Sequence, residues 1–502
     1  MHSRRWSASL LAVISLVGLV LASCSAGSTA TQIGRVAGAS IVVGTTGVPA
    51  SLDFTATGGA AIPQALMSNV YEGLVRIDQD GGIRPQLAES WEVSDGRTRY
   101  TFDLREDVTF SNGDPFNAES AKFSIEYVQN EWTNGLKSQM DVVEDVEVLD
   151  EHVLQVTLSR PSNNWLWSMG TLTGAMMTPS GIPTLATEPV GTGPYVLDRF
   201  AVGESISFDV REDYWGTPAH QDAAIRYFSD AVSAVNALRS GDIDLVWAMQ
   251  APELLDTLPE EYEVEVGTTN GEVIFSMNND AAPFDDVRVR QAVAHAVDRT
   301  AVNEVVWEGL ATDTGGAPVP PTDPWFTGHN YYPHDPGRAR ELLAEAGYGE
   351  GNRPEVTISV PSLPYAQNIS ELVYSQLSEV GFDVELTTVE FPAVWLAEVM
   401  GAHDYQMSII AHVEPRDIPT LFGDADGYLG FDDAGVREQL LAADTGEDQV
   451  RHMRAAVDGI MAEAGALTLF NSPNIVVLSP GVEGVNPNVV TDALQLSEME
   501  KA

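Results

Sequence analysis

The chain has 502 residues, 44% of them hydrophobic, which is enough material for more than one core. Its 73 acidic residues outnumber 26 basic ones, giving a formal net charge of −47, and so negative a surface repels phosphate backbones and argues against nucleic acid as a partner. A single cysteine excludes an intramolecular disulfide, so packing must hold the fold together. Residues 1–23 read as a signal peptide: Arg4 and Arg5 precede the apolar run 10–22, which is short for a bilayer span, and no second long apolar run follows.

That leader ends in Leu21-Ala22-Ser23-Cys24, which resembles the lipobox of bacterial lipoproteins. The resemblance implies lipidation at Cys24, with the mature chain anchored to the extracytoplasmic face of the cell membrane. Acyl chains supply about 0.8 kcal/mol per buried methylene toward that anchoring. An ordinary cleaved leader with an incidental Cys24 is the plainer reading. Arg4-Arg5 leaves both general secretory and twin-arginine export open. Residues 24–40, rich in Ala, Gly, Ser and Thr and without periodicity, read as a flexible tether.

The first strand is expected at 41–43. Alternation in Tyr100-Thr101-Phe102-Asp103-Leu104 predicts a half-buried strand, Ser111-Asn112-Gly113-Asp114-Pro115 a tight turn, and 118–128 a helix. Two further strands, 146–149 and 153–158, flank a turn at Asp150-Glu151. In Pro189-Val190-Gly191-Thr192-Gly193-Pro194-Tyr195 the two glycines suit positive φ angles and the proline an extended exit. A phosphate cradle would need a following Lys-Ser/Thr pair and helix, which are absent. Asp230 caps a helix with Ala231, Ala234, Val235 and Leu238 on one face, and Gly241 ends it before a strand at 243–247.

Near Gly271 the pattern changes, and 273–278 reads as an extended crossover. Asp286 caps a helix bearing Val289, Val293 and Ala296, with Arg288 and Arg290 outside or paired. Asp335 and Pro336 open another, striped by Ala339, Leu342, Leu343 and Ala346 and stopped by Gly347. A strand at 356–360, a helix through Ile369, Leu372, Val373, Leu377 and Val380 closed by Gly381, and a strand at 382–386 form a β-α-β unit, which implies a parallel or mixed sheet. Ser408-Ile409-Ile410 reads as a buried strand. Runs 467–470 and 475–478 are strand-like, with a return connection expected between them.

Several stretches, in order, resemble the extracellular solute-binding proteins of peptide and nickel ABC importers, family 5, the oligopeptide- and dipeptide-binding type. They are Val70-Tyr71-Glu72-Gly73-Leu74-Val75, Pro85-Gln86-Leu87-Ala88-Glu89-Ser90-Trp91, Phe110-Ser111-Asn112-Gly113-Asp114-Pro115-Phe116, Gly191-Thr192-Gly193-Pro194-Tyr195, Asp213-Tyr214-Trp215-Gly216 and Ser240-Gly241-Asp242-Ile243-Asp244. In the second half come Pro283-Phe284-Asp285-Asp286, Val289-Arg290-Gln291-Ala292 and Ala339-Arg340-Glu341-Leu342-Leu343-Ala344-Glu345-Ala346-Gly347-Tyr348. The resemblance implies an α/β fold: a two-lobed clamp of the type II periplasmic-binding kind, with mixed sheets flanked by helices and an extra subdomain in the first lobe. The expected division is 41–272 for lobe I, with an inserted subdomain at about 57–185, then 273–472 for lobe II and 473–502 returning to lobe I. The implied function is capture of a small solute, first of all a peptide, by hinge closure and its delivery to an ABC permease, by a monomer without cofactor or catalysis.

In peptide binders of this family an acidic residue after the buried strand of the second lobe pairs with the ligand's ammonium group, and an ungapped placement puts Glu414 there. Its competing reading is a salt bridge to Arg416. Ala411 stands where many relatives carry an aromatic residue. Leu363 stands where dipeptide binders carry an arginine for the ligand carboxylate, so Arg416 is the replacement candidate. Asp417, Tyr365 and Trp395 complete the expected ligand-binding set, the two aromatic residues reading more readily as packing than as ligand contact. His412 invites a nickel-chelate alternative, but without a His/Cys cluster the sequence predicts no metal site. An exported cell-wall hydrolase is the rival class; the chain has no Gly-x-Ser-x-Gly and no His-Glu-x-x-His. A sensor passing occupancy to a membrane partner is indistinguishable from an importer subunit at this level.

Overall fold

A computed structural model describes residues 41–501, so the leader, Cys24 and the tether lie outside the described residues. The first strand, β1 (Ile41–Thr45), is followed by a short hairpin, β2 (Val75–Ile77) and β3 (Ile83–Pro85). Next come β4 (Ala88–Val93), β5 (Arg99–Leu104), β6 (Val143–Asp150) and β7 (Val153–Leu158), an antiparallel sheet in the order β4-β5-β7-β6. Strand β5 buries Tyr100, Phe102 and Leu104 on one face, as its alternation requires. The helix Ala118–Glu131 starts where the Asn117 side chain accepts from the amides of Glu119 and Ser120.

The remaining long strands are β8 (Tyr195–Ala201), β9 (Ser205–Val210), β10 (Ala223–Tyr227), β11 (Leu245–Val246), β12 (Glu263–Met277), β13 (Glu355–Pro361), β14 (Asp383–Val389), β15 (Met407–His412) and β16 (Ala466–Leu478). With β1 they form one mixed sheet of ten strands in the order β14-β13-β15-β12-β16-β11-β1-β10-β9-β8. A short pair, β17 (Val482–Glu483) and β18 (Glu500–Lys501), closes the chain. The predicted β-α-β unit is present: β13 and β14 are parallel, and the helix Pro364–Val380 between them ends at Gly381 with φ 118°.

Two hydrophobic cores lie along this sheet. One gathers Phe54, Phe102, Trp132, Trp165 and Phe208 and takes back Leu494, Leu496 and Met499 from the chain's end. The other gathers Phe275, Phe284, Ile358, Leu377, Ile409 and Phe422. The antiparallel pair β12 and β16 serves both, since Val273 and Leu467 lie in the second core while Val476 and Leu478 lie in the first. The expected crossover at 273–278 is therefore the end of a 15-residue strand that begins ten residues earlier at Glu263. Likewise the two runs 467–470 and 475–478 are one strand without an intervening connection, because Pro473 pairs with Thr268 across the ladder and keeps it continuous. The helices Arg299–Trp307, Ala434–Thr445 and Gln449–Ala462 have no counterpart among the predicted elements.

Glu72 ties several of the short motifs together. Its carboxylate is buried and accepts from Gln86 Nε2 at 2.5 Å, Thr192 Oγ1 at 2.8 Å, Tyr214 OH at 2.8 Å and Trp215 Nε1 at 2.9 Å. Burial pushes its pKa up and those four donors pull it back. The glycines of Gly191-Thr192-Gly193 bring the threonine there. Neither adopts positive φ, contrary to the sequence expectation. They are small because the backbone of Asn69 and Val70 passes over them: a Cβ on Gly191 would sit 1.9 Å from the Val70 carbonyl oxygen, and one on Gly193 2.4 Å from that of Asn69.

Candidate ligand-binding site

Strand β15 ends at His412 and the chain turns through Val413-Glu414-Pro415-Arg416-Asp417 into the short helix Ile418–Phe422. Arg416 takes φ 57°, a left-handed conformation that disfavours a residue with Cβ and that packing must hold. The packing is visible: its guanidinium carbon lies 4.6 Å from the ring centre of Trp167 and 4.9 Å from that of Trp325. Nη2 donates to the Gly81 carbonyl at 3.3 Å, and Nε faces Asp323 Oδ1 at 3.6 Å as an ion pair. Burial lowers the Arg416 pKa to about 10, against the pull of Asp323, so the group stays charged at neutral pH. Arg416, expected to hold a ligand carboxylate or to pair with Glu414, is thus engaged with Asp323, Gly81 and two indole faces.

Glu414 is exposed, and its nearest hydrogen-bond contact is a long one from the Val413 amide at 3.4 Å. Asp417 is largely buried, and burial followed by the Glu414 carboxylate raises its pKa to about 7. His412 Nδ1 lies 4.0 Å from Asp417 Oδ2, while Nε2 shares a 2.8 Å hydrogen bond with Tyr428 OH. Burial lowers the imidazole pKa to about 4 despite Glu414 nearby, leaving it neutral. His412, Glu414 and Asp417 bring one donor atom each within 4.8 Å of one another, a three-donor set that the sequence, with no histidine or cysteine cluster, did not predict.

The two aromatic candidates are both bonded to β15. Trp395 is 2% exposed in the second core, with Nε1 donating to Ser408 Oγ at 2.9 Å. Tyr365 is half-buried and spends its hydroxyl accepting from the Ala411 amide at 3.0 Å, which fixes the end of β15. Both side chains are thus tied to β15.

The residues missed by the sequence are acidic. Glu272 on β12 sits in register between His412 of β15 and Asn471 of β16, 1% exposed, and neither carboxylate oxygen has a hydrogen-bond partner. Burial, then Asp417 and Asp323, drive its pKa well above the usual carboxylate range. Asp323, in the loop carrying Trp325, is raised to about 6 by burial, opposed by Arg416. Asp492 is raised to about 6 by burial and then by Glu414. Buried polar atoms without a hydrogen bond gather around Arg416: Asp323 Oδ2, Arg416 Nε and the indole nitrogens of Trp167 and Trp325. A cavity of about 520 Å³ meets the cluster at Asp323, with Gln79, Asp80, Thr268, Thr322 and Asn488 in its wall.

Comparison with known proteins decides the family. Residues 82–419 match the model of the bacterial extracellular solute-binding proteins, family 5. The chain belongs to that family. It is similar to heme-binding protein A of Haemophilus influenzae, 30% identical over 363 residues covering 65% of this chain and 66% of the relative. It is also similar to the glutathione-binding protein GsiB of Escherichia coli, 29% identical over 340 residues covering 66% of this chain and 65% of the relative. These matches span just under two thirds of the curated relatives' own length. Among solved structures, the substrate-binding protein CtaP of Listeria monocytogenes superposes with a TM-score of 0.81 at 18% identity, covering 92% of this chain and 99% of that one. NikZ of Campylobacter jejuni, solved with Ni(L-His), gives 0.74 at 19%, over 92% and 99%. The fold is the two-lobed periplasmic-binding architecture that the resemblance implied. No helix among the described residues is long and apolar enough to cross a membrane.

Proposed function

We propose that this family 5 protein is an extracytoplasmic receptor that binds a small solute without catalysis and hands it to an ABC-type import permease. The observation that carries the reading is Glu272: a fully buried carboxyl with no hydrogen-bond partner, held neutral by burial, whose ionised form is costly unless a cationic group enters. A peptide α-ammonium is the first candidate, held by Asp417 and Glu272 with Glu414 at the exposed rim. Ligand binding energy then favours the closed clamp, which docks on the permease. In this reading 41–272 and 473–502 form lobe I, with an inserted subdomain at about 57–185, and 273–472 form lobe II. The chain acts as a monomer, exported by the leader at 1–23 and held to the membrane by lipid on Cys24 through the tether 24–40.

A second reading takes a metal chelate as cargo. It rests on the neutral His412 imidazole and the Glu414 and Asp417 carboxylates clustered within 4.8 Å. Native mass spectrometry of protein purified from rich medium, paired with solution scattering, tests both. Releasable peptide masses and compaction on adding a peptide pool support the first reading, and a bound metal complex supports the second. No compaction with peptides, amines or chelates overturns the receptor reading.

A further inference from the structure

Closure of a clamp needs a place to bend and a place where the closing faces meet. In the β12–β16 ladder the register shifts between Thr268 and Glu272, where residues 269–271 stand opposite Ser472 alone. The Asn471 side chain spans this bulge, Nδ2 donating to the Thr269 carbonyl at 2.9 Å and to the Gly271 carbonyl at 3.1 Å. The bulge divides the part of β12 that pairs with Val476 and Leu478 of the first core from the part that pairs with Leu467 of the second. Away from the ladder the two cores meet again. The helix Asn163–Ser168 puts Trp165 in the first core, and the helix Ala434–Thr445 puts Ala443 in the second. Polar groups join their facing ends. Asp444 Oδ1 accepts from Ser162 Oγ at 2.8 Å and from the Asn164 amide at 3.0 Å, while its other oxygen pairs with Arg160. Asn163 Nδ2 donates to the Ala443 carbonyl at 2.7 Å and to the Gly446 carbonyl at 2.9 Å. Arg97 donates to Asn163 Oδ1 and so turns the amide nitrogen toward that helix end.

The groups on both sides are ones a helix end leaves without an intrahelical partner: the Asn164 amide in a first turn and the Ala443 carbonyl in a last. Water can serve each of them when the ends part, so the junction is one that can open and close. The same short helix carries Trp167, whose ring lies 4.6 Å from the Arg416 guanidinium, and Arg416 also bonds the Gly81 carbonyl. The junction and the candidate site are thus linked through one six-residue helix. We propose that Asn163 and Asp444 form a latch between the two cores that favours the closed clamp whether or not a ligand is bound. Every group in it belongs to the chain, so the ligand adds its binding energy to a closure equilibrium that the latch has already biased. The proposal rests on the receptor reading and leaves the choice of cargo to the residues around Arg416.

Amide hydrogen exchange on the intact, ligand-free chain tests it at Asn164, whose amide bonds across the junction to Asp444. Wild type should exchange there at least about twofold more slowly than Asp444→Ala, which removes the acceptor. The decisive variant is Asn163→Ala, which keeps that acceptor and removes the bonds to Ala443 and Gly446. After correction for the changed neighbour, it should lose most of the same protection, and solution scattering should find it more expanded than wild type. A peptide pool should then compact Asn163→Ala by more than it compacts wild type, because the variant starts more open. Unchanged exchange across 273–277, in the β12–β15 ladder, checks that both variants are folded. Exchange at Asn164 as fast in wild type as in Asp444→Ala overturns the proposal, and so does protection fully kept in Asn163→Ala. If a peptide pool compacts the protein while Asn163→Ala behaves as wild type, the latch fails and the receptor reading survives. If Asn164 responds as expected and no peptide, amine or chelate compacts either protein, the latch stands and the receptor reading fails.

Discussion

Glu72 and Glu272 are both buried glutamates, 2% and 1% exposed, in opposite circumstances. Four side chains donate to Glu72, so its burial is compensated within the protein and it serves as a structural junction of four chain segments. No group donates to Glu272, and its electrostatic neighbours are two more carboxylates. Burial alone does not separate scaffold from site; the completeness of the partners does. Arg416 lies between these cases: its charge is partly satisfied by Asp323, Gly81 and two indole faces, while its Nε atom makes no hydrogen bond.

The contrast can be tested by removing partners on each side. The largest stability loss is expected for Glu72→Ala, which strands the buried Thr192 hydroxyl and three half-buried donors and should cost about 4 kcal/mol in urea unfolding. Arg416→Ala should cost about 3 kcal/mol by the same measurement and shift tryptophan fluorescence, since it leaves Asp323 buried without its cation and two indole faces uncovered. Gly191→Ala, whose new methyl group meets the Val70 carbonyl, should cost about 2 kcal/mol and loosen the Glu72 junction from its threonine side.

An effect no larger than that depends on pH. Asp492 has a folded-state pKa raised to about 6, so its contribution is fully present below the unfolded value near 4 and is lost as pH rises through 6. Asp492→Asn removes that loss. The variant should therefore gain on the wild type by about 2 kcal/mol between pH 4 and pH 7 in ligand-free unfolding curves. His412, lowered to about 4, works in the other direction: its contribution is present above pH 6.5 and is lost as pH falls through 4.

The scaffold was more legible in the sequence than the site. The motifs around Tyr71-Glu72-Gly73, Gln86, Thr192 and Tyr214-Trp215 could be recognised because their residue types are fixed by one shared junction. Capped helices such as Pro336–Glu345 were readable from Asp335, Pro336 and Gly347 because capping is local. The loop after β15 was found through the resemblance, but the partners of Arg416 were not, since Gly81, Trp167, Asp323 and Trp325 are distant in sequence. Glu272 escapes the sequence because it stands at the break near Gly271, just ahead of the extended run 273–278. The available signal was a lone glutamate opening the apolar run 273–277 inside a longer strand. Trp395 stays ambiguous in the sequence for the opposite reason: an aromatic residue near the site has the same sequence appearance whether it faces ligand or core.

The most direct test of the central claim is thermal unfolding at pH 7 of wild type and Glu272→Gln, each with and without lysyl-alaninamide. If Glu272 is a ligand group held without partners, the ligand-free variant should be as stable as wild type or more so, because a raised folded pKa means that the ionisable group loses stability at neutral pH. It should also gain less stability from the ligand than wild type does. A variant that starts less stable and gains as much would place Glu272 with Glu72 as scaffold and contradict the account.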